Sequence, residues 1–207
     1  MRNQQKVVKT IAEVAIFAAL GFVLDAIQGA YSDPLFPNGG SIGIALACVF
    51  IMSFRRGTIA GVATGLIMGL LDLLDGVYVA PLADNAVKAF AQVALDYWIA
   101  YPLAGLAGLV RRFVKQDAMT LQRSLFICLG CFIGGTLKFL SHFLAGVLFW
   151  PSTGWNIESA TLFSFVYNLA YTLPCVILSG AIVVLINVFQ PKLLVNPDGL
   201  VLKKKEN

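Results

Sequence analysis

Six apolar runs, at residues 11–27, 41–54, 57–74, 86–110, 125–149 and 160–188, take up most of the chain and leave only short connections between them. About 20 consecutive apolar residues are what a helix needs to cross the hydrocarbon core of a bilayer. With 58% hydrophobic and 13% charged residues and a mean hydropathy of +0.81, the chain lacks the polar surface that would let it fold in water. In lipid every backbone amide must find its partner within the protein, so isolated runs of this kind read as helices. The expectation is an all-α integral membrane bundle of six transmembrane helices, a single membrane domain over residues 1–207 with no room for a soluble enzyme domain. The first run follows Arg2, Lys6 and Lys9 in the order of a secretory signal, but five more runs succeed it, so it reads as an uncleaved span. The run at 41–54 is short for a full crossing, and Pro34 and Pro37 make the approach to it irregular rather than helical.

Charge fixes the orientation. Lys and Arg number 15 against 11 Asp and Glu, an excess that suggests nucleic acid until its positions are read. With both termini cytoplasmic, the inside segments hold Arg2, Lys6, Lys9, Arg55, Arg56, Arg111, Arg112, Lys115, Arg123, Lys192, Lys203, Lys204 and Lys205, every basic residue except Lys88 and Lys138. That is the positive-inside pattern, so no nucleic-acid partner is implied. The basic tail at 191–207 reads as a cytosolic end close to lipid headgroups. Asp33, Asp75, Asp84 and Glu158 then fall at or beyond the outer face, with Trp150 and Trp155 at the interfacial level that suits an indole.

Small residues and cysteines carry packing rather than chemistry. Gly57, Gly61, Gly65 and Gly69 recur every four residues on the third span, a flat stripe that lets another helix of the same protein approach closely. Ala15 and Ala19 make a similar pair on the first span. Cys48, Cys128, Cys131 and Cys175 all lie in apolar runs, and the C-x-x-C at 128–131 has no second pair with which to hold a metal, so no metal site and no disulfide framework are expected. The phosphate-cradling G-x-x-x-x-G-K-[ST] loop is absent, and a single histidine rules out H-E-x-x-H. Energy for any transport must come from an ion gradient or a separate ATPase.

An ionised side chain near the bilayer centre costs roughly 2.5 to 3.5 kcal/mol on insertion scales, so each one in a span asks for a partner or a task. The fourth span carries Lys88, Gln92 and Asp96 on one face, with Tyr97 beside them; the fifth repeats the spacing with Lys138, His142, Gly146 and Trp150. The sixth supplies Ser164, Tyr167, Asn168 and Tyr171, and the end of the third supplies Asp72, Asp75 and Tyr78. Together they describe a pocket near the outer leaflet, built from a carboxylate, an imidazole, an amide and aromatic faces. Such a set suits an amino-substituted heterocycle that is also a flat cation. Each residue has a purely structural reading beside this one: Asp96 paired with Lys138 or Lys88, His142 as a satisfied core histidine, Trp150 as an interface anchor, Asn168 as a bond between helices.

These residues resemble the thiamine-specific substrate-binding (S) components of energy-coupling-factor (ECF) vitamin transporters, also described as thiamine transporters of the YuaJ type. The marks are G-G-S-I at 39–42, S-F-R-R-G at 53–57, L-D-Y at 95–97, L-K-x-x-x-H-x-x-x-G-x-x-x-W at 137–150 and the pair Tyr167 and Asn168. The resemblance implies a six-helix bundle in the bacterial cell membrane that captures thiamine on the outer side, is not an enzyme, and carries no cofactor besides that ligand. It implies that Asp96 binds the aminopyrimidine with Tyr97 as its neighbour, and that His142, Gly146, Trp150 and Asn168 contact the ligand rings; the expectation drawn from the residues themselves adds Tyr97 and Tyr78 as walls of the site. It also implies that Ala15 and Ala19 meet a membrane coupling subunit working with two cytosolic ATPase subunits. The family has a glutamate where this chain has Asp96, a tyrosine where it has Phe163, and a tryptophan in the first outer loop, where Phe36 is the candidate cover. The rival expectations are a stand-alone proton-coupled carrier, an S component for another vitamin or a thiamine precursor, and an intramembrane enzyme using Asp72, Asp75 or Asp96.

Overall fold

A computed structural model describes residues 2–32, 34–74, 76, 79–80, 82–115, 117–150 and 154–195. Among these the chain is helical throughout apart from its connections, with one isolated antiparallel bridge between Gly154 and Ile157. The helices are α1 (Arg2–Ser32), α2 (Leu46–Arg55), α3 (Thr58–Leu71, closed by a 3₁₀ turn to Leu74), α4 (Ala86–Phe113), α5 (Thr120–Phe149), α6 (Ala160–Phe189) and a short α7 (Lys192–Val195). Four stretches are long and apolar enough to cross a membrane: Gln4–Ser32, Ala86–Phe113, Thr120–Phe149 and Ala160–Phe189. Their outward faces carry Ile16, Phe90, Leu125, Phe132 and Ile177, all exposed, while Gln28, Asp72, Gln92, Lys138 and Asn168 are buried. A soluble protein does the reverse; apolar outside and polar inside is the arrangement that lipid favours.

The second expected span is shorter than its run. Helix α2 begins at Leu46, not at residue 41, because Gly39 and Gly40 turn the chain at φ of +89° and +105°. Gln28 of α1 then accepts a hydrogen bond from the Ala45 amide at 3.2 Å, occupying a donor that a helix entry otherwise leaves open. Gly57 also departs from the expected stripe: it lies in the turn before α3 at φ +100°. The remaining three do form one. A methyl group on Gly61 would strike Ser53 Oγ of α2 and then the Gly105 carbonyl, on Gly65 the Tyr101 carbonyl and on Gly69 the Tyr97 carbonyl, so the stripe is occupied by α4, joined at Gly61 by α2. The stripe therefore serves packing inside the protein. Of the basic tail at 191–207, only residues up to 195 are described, and the lysines at 203–205 lie outside the described residues.

Helix α4 is not uniform. Residues Ala94–Ile99 are wound as a π-helix, and Gly105–Phe113 as a 3₁₀-helix. Pro102 explains the site of the change: it has no N–H, so the carbonyl of Trp98 in an α pattern, or of Tyr97 in a π pattern, loses its donor. Ser141 of α5 supports the same stretch by donating to the Leu95 carbonyl at 2.7 Å.

One end of the bundle is basic and closed. Glu13 of α1 accepts two hydrogen bonds from Arg55 (2.9 and 2.9 Å) and two from Arg56 (2.6 and 2.9 Å). Arg111 donates to the carbonyls of Phe54 and Arg55 at 2.6 and 3.3 Å, and buried Arg123 donates to Asn187 at 2.8 Å. The basic residues of the S-F-R-R-G turn thus lace α1, α2 and α4 together rather than merely marking a side of the membrane.

Candidate functional site

At the opposite end the helices part around a cavity of about 320 Å³, lined from α1, α4, α5, α6, the 38–41 segment and the end of α3. Along α5 it is lined at Trp150, Gly146, His142 and Lys138, four levels about 6 Å apart by helical rise. Opposite them α4 contributes Gln92, Asp96, Tyr97 and Tyr101, and α6 contributes Phe163, Ser164, Tyr167, Asn168 and Tyr171. In a regular α-helix residues 96 and 101 would point some 140° apart; the wider π turn brings positions five apart toward one face, and both line the cavity.

Asp96 is held by neutral donors. Gln92, 1% exposed, donates to Oδ2 at 2.6 Å while its own carbonyl oxygen accepts from the Ala80 amide at 3.3 Å. His142 Nδ1 lies 3.3 Å from Oδ1, and Lys138 Nζ lies 2.7 Å from His142 Nε2. An ammonium only donates, so Nε2 accepts and the Nδ1–H of a neutral imidazole faces the carboxylate. Neither lysine is the direct ion-pair partner that the sequence left open for Asp96: Lys88 pairs with Asp84 at 2.9 Å, holding that carboxyl below its usual range, and Lys138 spends its charge on His142 and on the Tyr101 ring at 4.5 Å. Asp96 keeps side-chain exposure of 18% and His142 of 14%, both toward the cavity.

The aromatic wall is set by α6 and the loops it meets. Asn168 donates to the Ser164 carbonyl at 2.8 Å and accepts from the Tyr171 hydroxyl at 2.6 Å, so its amide is fixed in orientation. Tyr167 donates to the Gly39 carbonyl at 2.9 Å and accepts from the Asn38 amide at 3.1 Å, tying the 38–41 segment over the cavity. Phe36 stands edge-on to Tyr167 and Tyr171 at 5.6 Å each; it is buried behind these rings and does not line the cavity. Trp155, half exposed and at φ +52°, stacks on Tyr167 at 5.4 Å and meets Phe163 edge-on. A methyl group on Gly146 would strike Ser164 Oγ, so this glycine sets how closely α5 and α6 approach beside the site.

Of the residues singled out from sequence, Asp96, Tyr97, His142, Gly146, Trp150, Asn168 and Phe163 line this one cavity, as does Asp72. Tyr78 and Asp75 lie outside the described residues. Ala15 and Ala19 are exposed on the outer face of α1, remote from the cavity lining. Asp25, Gln28, Ser41 and Tyr101 line the cavity without having been anticipated. The signal for Asp25 was present: a carboxylate inside the apolar run at 11–27 asks for a partner as much as Asp96 does. Tyr101 was concealed because its five-residue spacing from Asp96 breaks the four-residue ladder.

The geometry has counterparts. A family model described as "Thiamine transporter protein" (Thia_YuaJ) matches residues 11–195. The thiamine transporter ThiT of Bacillus subtilis is 30% identical over 195 residues, covering 93% of this chain and 97% of that protein. That of Lacticaseibacillus paracasei is 29% identical over 201 residues, covering 95% and 96%. A solved structure of ThiT from Listeria monocytogenes superposes with a TM-score of 0.77 at 28% identity, covering 92% of this chain and 99% of that one.

Proposed function

The chain belongs to the thiamine transporter protein family, and from that premise we propose that it is a thiamine-binding membrane S component that takes its ligand in the cavity beneath Trp150. The observation that carries this reading is Asp96, a carboxylate facing a membrane-embedded cavity and held, among the described residues, by the neutral donors Gln92 and His142. Thiamine offers the complements: an exocyclic amino group that can donate to Asp96, a permanently cationic ring, and two flat faces for Trp150, Tyr97, Tyr167 and Phe163. In this reading Asn168, locked by Tyr171, orients the ligand, and Gly146 keeps α5 and α6 close enough for both rings to be gripped. No bond is made or broken, and no cofactor takes part.

The shorter helices α2 and α3 complete a six-crossing bundle, with both termini and the Glu13–Arg55–Arg56 end on the cytoplasmic side of a bacterial plasma membrane; the basic character of that end supports the orientation. The chain carries no nucleotide-binding loop, so import rests on an ECF coupling transmembrane subunit and two cytosolic ATPases, with exposed Ala15 and Ala19 of α1 as the contact surface. Titration of the purified protein with thiamine, followed by tryptophan fluorescence, tests the reading: saturable quenching that is lost in Trp150→Ala is expected. No saturable response, or a response unaffected by both Trp150→Ala and Asp96→Asn, would overturn it. Proteoliposomes holding the lone subunit should bind but not accumulate thiamine; uptake driven by a pH gradient alone would favour the proton-coupled carrier instead.

A further inference from the structure

Asp96 carries the ligand reading, and its bearing is set by a stretch of helix that has another way to wind. A π turn is one surplus residue taken up inside an α-helix, and its place along the helix is open unless something pins it. Were the surplus at Ala94–Ile99 to move past Tyr101 or back before Asp96, the two residues would stand five apart in ordinary winding, some 140° from each other. Both line the cavity, so the surplus is held where it is.

Two neighbours hold it. From α5, Ser141, 5% exposed, donates its hydroxyl at 2.7 Å to the Leu95 carbonyl, which belongs to the peptide bond joining Leu95 to Asp96. In a π turn that carbonyl already faces the amide five residues on, here Ala100, so the hydroxyl is a second donor and not a replacement. From α3, Gly69 brings its backbone against the Tyr97 carbonyl, so close that a methyl group there would collide with it. Asp96 thus lies between one carbonyl gripped from α5 and another abutted from α3. Further along, α5 approaches α4 carbonyls by being bare: Gly134 lies against that of Ala104 and Gly130 against that of Ala107. At Leu95 it offers a directed bond instead. The next residue, His142, faces the Asp96 carboxylate, so adjacent positions on α5 address the backbone and the side chain of the acid. Ser141 itself does not line the cavity. Resting on the assignment of Asp96 as the ligand's hydrogen-bond acceptor, we propose that Ser141 is a positioning residue for thiamine binding: by pinning the π turn at Leu95 it aims Asp96 into the cavity.

Thiamine titration and thermal melting of the full-length protein, arranged as a double-mutant cycle with Asp96→Asn, test this. Ser141→Ala should weaken thiamine about tenfold with the melting temperature nearly unchanged, since the Leu95 carbonyl keeps its backbone donor. Ser141→Thr, which retains a hydroxyl, should stay within about threefold of wild type. Combined with Asp96→Asn, where no charge remains to be aimed, Ser141→Ala should cost less than about twofold further. If Ser141→Ala does not fold, Ser141→Cys, a weaker donor of similar shape, should show the same non-additivity at smaller amplitude. Wild-type affinity in folded Ser141→Ala overturns the proposal. So does a loss of the same size with and without Asp96→Asn, which would make Ser141 a packing residue that acts on the whole site. A wild type that binds no thiamine overturns the ligand reading first and leaves Ser141 nothing to position.

Discussion

Around Glu13 the bundle meets a carboxylate with two guanidinium groups, each donating twice, whereas around Asp96 it answers the same chemistry with a carboxamide and an imidazole. The first arrangement buries the negative charge under two positive ones, one in excess, and leaves no carboxylate to attract a cation. The second supplies hydrogen bonds while leaving the negative charge in place, facing an open volume. One end of the molecule is therefore built for integrity and the other for capture, and substitutions at the two ends should separate into effects on melting temperature and effects on affinity.

The sharpest break is Asp96→Asn, which keeps the shape and removes the charge: thiamine affinity should fall about 100-fold, near 2.7 kcal/mol, with thermal unfolding little changed, by titration and melting of the same sample. At the other end, Glu13→Gln leaves Arg55 and Arg56 facing each other without a counter-charge. It should lower the melting temperature by roughly 6 to 12 °C, the equivalent of about 3 kcal/mol, while affinity in the folded fraction stays within about threefold. Gly65→Val drives a branched side chain into the Tyr101 carbonyl between the two ends and should cost roughly 2 kcal/mol of stability. The finest discriminator is Gln92→Leu. It removes one donor to Asp96 and orphans the Ala80 amide, so affinity should drop about fivefold to tenfold with a small loss of stability. Were Glu13→Gln to weaken binding as much as Asp96→Asn, the division of labour between the ends would be wrong.

Much of this division is legible in the chain before any coordinates. Asp96, His142, Gly146 and Trp150 announce themselves because four-residue spacing survives in any near-helical geometry, and their charge or bulk is out of place in apolar runs. The irregular stretch before α2 follows from Pro34, Pro37, Gly39 and Gly40. What stays hidden depends on contacts between distant segments. Arg55 and Arg56 read as topology markers, and only the approach of α1 turns them into a clamp on Glu13. Gly57 looks like one more member of a periodic stripe until its positive φ places it in a turn. Asp25 and Tyr101 stand 76 residues apart in sequence, and one hydroxyl joins them.

The π-wound stretch Ala94–Ile99 has a hereditary side. Such a turn amounts to one surplus residue folded into an α-helix, so the loss of a single codon between positions 94 and 99 would restore ordinary winding. Outside the stretch the register would hold, because the π turn already absorbs the extra residue, so Gln92 and Tyr101 would keep their bearing on each other. Inside it the outcome depends on which residue goes: losing one of 97–99 leaves Asp96 and Tyr101 four apart and on one face, whereas losing 94 or 95 leaves them five apart in an ordinary helix, some 140° from each other. Two neighbouring deletions of equal size would thus part ways, one sparing the chamber and the other turning its acid aside.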